Sequence, residues 1–99
     1  MKRAFVAGIA MLALSAQADD MVASNGTDSV RLTQQPCPPA ILATIPPQFQ
    51  AQAKAASASV SGTSYTACWV ASGSYVVLQY EDGDTGVIPM SQFRRSPGV

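Results

Sequence analysis

The pairing options of two cysteines constrain this chain more than any other feature. Cys37 and Cys68 are the only cysteines in ninety-nine residues, and residues 38 to 67 lie between them. A bridge closing a loop of that size stabilises a fold by about 3 to 4 kcal/mol in the chain-entropy model. That is a large share of the marginal stability of a small domain. The competing use of two thiols is metal. Zinc takes three or four nitrogen or sulfur ligands at short spacings, and this chain has no C-x-x-C and no histidine. A structural Cys37–Cys68 disulfide is therefore expected, provided the chain reaches an oxidising compartment.

The first residues point there. Lys2 and Arg3 precede an apolar run from Ala4 to Leu14, and Ala16-Gln17-Ala18 supplies a small-x-small cleavage site. This three-part layout is that of a secretory signal peptide over residues 1–18. A membrane span needs about twenty consecutive apolar residues, and this run ends near half of that. Cleavage after Ala18 would leave a chain that does not span the membrane, located in the periplasm or secreted. Its basic side chains would be Arg31, Lys54, Arg94 and Arg95, against Asp19, Asp20, Asp28, Glu81, Asp82 and Asp84. The acidic excess argues against nucleic acid as a partner, since phosphate backbones select basic surfaces.

Along the rest of the chain, residues 19–27 are polar and end in Asn25-Gly26, which reads as a flexible leader. A single domain is expected over residues 28–93, followed by a flexible tail over 94–99. Ser29 to Thr33 alternates, with Val30 and Leu32 on one face, as a half-buried strand does. Proline then stops it at Pro36, Pro38 and Pro39. Ala40 to Ala43 suit one helical turn, and Pro47 to Ala56 suits a short helix with Phe49 and Ala53 on one stripe. From Ser57 onward the pattern is β: a hairpin through Gly62-Thr63, a turn at Ser72-Gly73, the strand Ser74 to Tyr80, and a turn at Asp82-Gly83. Thr85 to Ile88 would pair back, and Met90 to Phe93 would make one turn that buries Phe93. The expected fold is α+β: a small antiparallel β-meander of three to five strands, with one short N-terminal helix, stapled by the disulfide.

Candidate chemistry is sparse. Asp84-Thr85-Gly86 is the triplet of aspartic proteases, but those need a dry, shared pair of carboxylates, and here Glu81, Asp82 and Gly83 mark a polar turn. Asp82 and Asp84 alternate as the first ligands of a calcium loop do, yet Phe93 stands where the bidentate glutamate belongs. No histidine is present to act as a base. The expectation is a protein that is not an enzyme and that uses neither metal nor cofactor.

Three resemblances bear on function. Gly86-Val87-Ile88-Pro89-Met90-Ser91-Gln92-Phe93 resembles the G-x-I-P-x-x-Y ending of SH3 domains, which implies a strand, a 3₁₀ turn and an aromatic closing an SH3-like barrel. Ala71-Ser72-Gly73-Ser74-Tyr75 is similar to the S-G-x-x-Y loop of periplasmic C-type lysozyme inhibitors, which implies an inhibitor loop at Ser72, Gly73 and Ser74. Taken together, Val30-Arg31-Leu32-Thr33, Tyr65, Cys68-Trp69 and Glu81 to Pro89 resemble small exported proteins of unassigned function from proteobacteria and their phages. That resemblance implies export and the Cys37–Cys68 bridge.

Tyr65, Trp69, Tyr75 and Tyr80 concentrate the aromatics in one stretch and form a candidate contact surface, since exposed Trp and Tyr build interface centres. Trp69 packed in the core beside the disulfide is the competing placement. The function these observations favour is a small exported, non-catalytic binding protein for a protein or cell-envelope ligand. The alternative is a periplasmic inhibitor of a hydrolase such as lysozyme.

Overall fold

Short glycine turns decide the architecture. The computed structural model describes residues 19–97; the signal peptide expected over 1–18 lies outside them. β1 (Asp19–Asn25) and β2 (Asp28–Pro36) form a hairpin in which Asn25 pairs with Asp28. Only Gly26 and Thr27 lie in the loop, and Gly26 has φ +83°, as the first position of a tight two-residue turn requires. Two helical turns follow, α1 (Pro39–Leu42) and α2 (Pro47–Gln50). β3 (Lys54–Val60) and β4 (Thr63–Ser72) then pair around Ser61 and Gly62, both with positive φ. β5 (Tyr75–Tyr80), β6 (Thr85–Pro89), a 3₁₀ turn (Met90–Gln92) and β7 (Arg94–Pro97) complete the order.

All seven strands lie in one antiparallel sheet in the order β6-β5-β4-β3-β2-β1-β7. β6 and β7 thus occupy opposite edges although only Met90 to Phe93 join them. Flat, those edges would stand about 29 Å apart at the usual strand spacing. The connection from Pro89 to Arg94 reaches at most about 17 Å. The sheet must curl, bringing its two edges toward each other as an open barrel.

Period two then sorts the side chains. The inner face holds the main core: Leu32, Ala56, Ala67, Val76, Leu78 and Phe93 are buried, with Trp69, Tyr80 and Ile88 packed against them. The central strands β3 and β4 supply Ala56, Ala58 and Ala67, all buried; small side chains there leave room inside a tight curl. A second cluster sits on the outer face, where Cys37, Ile41, Ile45, Ala53 and Cys68 are buried together. The Cys37–Cys68 disulfide, with Cα atoms 5.5 Å apart, ties the segment before α1 to β4. The Gln50 amide donates to the carbonyls of Leu42 (3.1 Å) and Ile45 (2.9 Å), holding the two helical turns together.

These findings correct the expected α+β class. The described residues are mostly β, with seven strands rather than three to five, and among them no helix is longer than the two four-residue turns. The helix expected over Pro47 to Ala56 ends at Gln50, and β3 begins at Lys54. Alanine favours helix in isolation, but β3 is paired on both sides, to β2 and to β4; that ladder and the burial of Ala56 and Ala58 override the local preference. Residues 19–25, expected to be leader, are β1, with Met21 and Ala23 facing the core. Arg94–Pro97, expected to be tail, is β7, paired to β1. Two turns shift by one residue, to Ser61-Gly62 and Gly73-Ser74.

A strand, a 3₁₀ turn and the buried Phe93 follow one another here, but within one seven-stranded curled sheet and not the small SH3-like barrel expected from the local similarity. Pro89 also has a place in this arrangement. Tyr80 N–H donates to the Asp84 carbonyl and Met90 N–H to that of Ser74, each at 2.8 Å. Even-numbered residues of β6 therefore bond to β5, and odd-numbered ones face the open edge. Pro89 stands on that edge, where the lost donor is one no neighbouring strand needs.

Candidate functional site

The four aromatics expected to share a surface are divided by the sheet. Tyr65, Trp69 and Tyr80 belong to the inner face, as their registry with Ala58, Leu78 and Ala67 shows. Tyr75 pairs with Ser72 and Pro89 on the outer face and is 50% exposed. Alternation along β4 and β5 thus sets Tyr80 beside Tyr65 and Trp69 and places Tyr75 on the opposite face.

Trp69 is half-buried against the core, and its Nε1–H donates to the Thr33 carbonyl at 3.0 Å. The β2–β3 ladder shifts register between Leu32 and Pro36. The indole thus satisfies a carbonyl in the irregular stretch, while Thr33 Oγ1 donates to the Ala55 carbonyl at 2.8 Å and accepts from Gln35 N–H at 3.2 Å. Tyr65 and Tyr80 meet edge to face, with centroids 6.4 Å apart. Burial, and secondarily the Asp82 carboxylate, push the Tyr80 hydroxyl above its ordinary pKa.

The acidic turn is engaged by backbone amides of β4 and of the turn itself. Glu81 Oε1 accepts from Thr66 N–H at 2.8 Å, and Asp82 Oδ1 accepts from Asp84 N–H at 3.0 Å. Among the described residues, no polar or charged side chain is buried.

Ser72, Gly73 and Ser74 form the exposed tip of the β4–β5 hairpin, beside Tyr75. The Ser74 carbonyl is held by Met90 N–H, so this tip is tied to the 3₁₀ turn.

The outer face carries what sequence reasoning missed. Ile45, Pro46 and Phe49 form one wall of an apolar groove of about 200 Å³, and Cys68, Val70 and Val77 lie along its floor. Val77 pairs with Val70 on one side and Val87 on the other, making a row of valines across three strands. Phe49, expected to face the core, is 39% exposed at the rim, and Val87 is 62% exposed. A signal was present: Tyr75-Val76-Val77-Leu78 is apolar at both parities, which marks a strand with apolar contacts on both faces.

Among the described residues, no helix is long and apolar enough to cross a membrane. No protein-family model, curated protein or solved structure matches this chain.

Proposed function

We propose that this chain is a small exported binding protein without catalytic activity, working in the periplasm, and that it meets a protein partner through the outer face of β4, β5 and β6. One observation carries the reading. Among the described residues four large hydrophobics are exposed, Phe49, Val60, Tyr75 and Val87, and three of them lie in or beside the valine row and its groove on a single face. Scattered exposed apolar residues mean little, whereas a contiguous patch beside a groove is what interaction sites are made of. The disulfide supports an oxidising compartment, and the signal-like first eighteen residues and the resemblance to exported bacterial and phage proteins agree with it. The engagement of Glu81 and Asp82 in turn hydrogen bonds supports the non-catalytic reading.

The test is capture of partners from periplasmic extract by the parent and by Phe49→Ser and Val87→Glu, each checked for an unchanged melting temperature. The parent should retain a defined partner that both variants lose, while Ser72→Ala keeps it. Identical capture by all four would remove the outer face from consideration. Exposure of the Ser72-Gly73-Ser74 tip and of Tyr75 favours a second reading, inhibition of a hydrolase. In that case lysozyme turnover falls at stoichiometric protein and recovers with Ser72→Ala or Tyr75→Ala.

A further inference from the structure

The arginines of the described residues are gathered in one place, away from the apolar face. Residues 19–97 hold four basic side chains, Arg31, Lys54, Arg94 and Arg95, and the three arginines line a single groove of about 420 Å³ with Val22, Gln92 and Ser96. The register explains the convergence. Val22 of β1 pairs with Arg31 of β2 on one side and with Arg94 of β7 on the other. At the usual strand spacing the two arginine Cα atoms stand about 10 Å apart, with Val22 as the floor between them. Arg95, opposite Met21 and so rooted on the other face of β7, reaches the groove only at its rim.

Arg31 is held in place. Its Nη1 donates to Asp20 Oδ2 at 3.2 Å and its Nη2 to Ser96 Oγ at 3.5 Å. Asp20 is the carboxylate that faces this groove, through its ion pair with Arg31. Among the described residues, neither Arg94 nor Arg95 has a salt-bridge partner. Asp19 stands next to Asp20 on β1, opposite Pro97, so three guanidiniums against at most two carboxylates leave a local positive excess on a chain whose described residues are acidic overall. Guanidinium groups present planar, forked donors that match tetrahedral oxyanions, and Ser96 and Gln92 add neutral hydrogen-bonding groups beside them.

We propose that the groove between β7, β1 and β2 binds a phosphate monoester group, with Arg31 and Arg94 on either side of it and Arg95 at its entrance. The ligand is either a soluble phosphate monoester or the monoester headgroup of a lipid such as phosphatidic acid; both present the same dianionic oxygens. This site is independent of the apolar face proposed above, and its success or failure leaves that face untouched.

The experiment titrates inorganic phosphate into the folded protein at constant ionic strength and follows the arginine side-chain and β1, β2 and β7 amide resonances. Saturable shifts are expected at Val22, Arg31, Arg94 and Arg95. Arg94→Gln and Arg95→Gln should each weaken binding by roughly tenfold or more, the usual worth of a hydrogen bond to a charged group. Asp20→Asn should tighten it by up to about tenfold, the Coulomb effect of removing one charge about 6 Å from a dianion in water. A gain of binding cannot come from partial unfolding, so this variant keeps the test decisive even if an arginine variant loosens β7. Cosedimentation with phosphatidylcholine vesicles containing phosphatidic acid, absent with phosphatidylcholine alone, would identify a headgroup; phosphate binding without cosedimentation would identify a soluble ester. Shifts that fail to saturate, that nitrate reproduces equally, or that survive both arginine substitutions would overturn the proposal.

Discussion

Single side chains in this protein are assigned by parity, and two residues show what that costs and decides. Trp69 falls on the inner face because Ala67 and Leu78 do, and its indole is then used to satisfy the Thr33 carbonyl where the ladder shifts. Tyr80 falls on the same face, and its hydroxyl pKa is raised by burial and by Asp82. A raised value in the folded state has a definite sign. Below the ordinary tyrosine pKa of about 10 the phenol is neutral in both states and contributes no pH dependence. As pH climbs past that value the unfolded chain ionises first, so stability falls until the folded value is also passed. Tyr80→Phe should therefore lose less stability than the parent between about pH 9 and pH 11. Urea midpoints measured at both pH values check this, and equal losses in the two proteins would contradict the burial argument.

At the scale of elements, legibility in the sequence followed how local each cause was. The hairpins β3–β4, β4–β5 and β5–β6 were readable because glycine turns and alternating residues carry them, with boundaries off by a residue at most turns. The bridge was readable because no other use of Cys37 and Cys68 was available. β1 was not, because Met-Val-Ala offers little apolar contrast and its burial comes from pairing with β2 and β7 on both sides. The alanine-rich β3 misled for the same reason: its strand form is imposed by neighbours. On the outer face, Phe49 was misassigned because a four-residue helical turn has no stripe to bury. β6 offers a test at this scale. Thr85 and Val87 turn their backbone groups to the open edge, and Pro89 denies that edge a third donor. Pro89→Val should restore the donor and promote edge pairing between copies, seen as larger species by sedimentation velocity with little change in melting temperature. A sedimentation profile identical to the parent's would show that the edge is protected by something other than this proline.

The whole molecule depends on its ends meeting. β1 and β7, at opposite termini of the described chain, pair with each other from Asp19↔Pro97 to Val22↔Arg94, and this pairing carries the curl across to the first strand. Without β7, the β1 edge would be open, Phe93 would lose the strand that anchors it over the core, and the arginine groove would lose one wall. A flexible tail predicts the opposite, since removing it would change nothing. Truncation after Phe93 separates the two views. The shortened protein should melt lower than the parent, and amide exchange should quicken in β1 and around Phe93 while β3 and β4, in the interior of the sheet and, for β4, stapled by the disulfide, stay protected longer. A truncated chain with the parent's melting temperature and unchanged exchange in β1 would mean that the sheet closes without its last strand, and that the core formed by β2 to β6 and Phe93 is sufficient by itself.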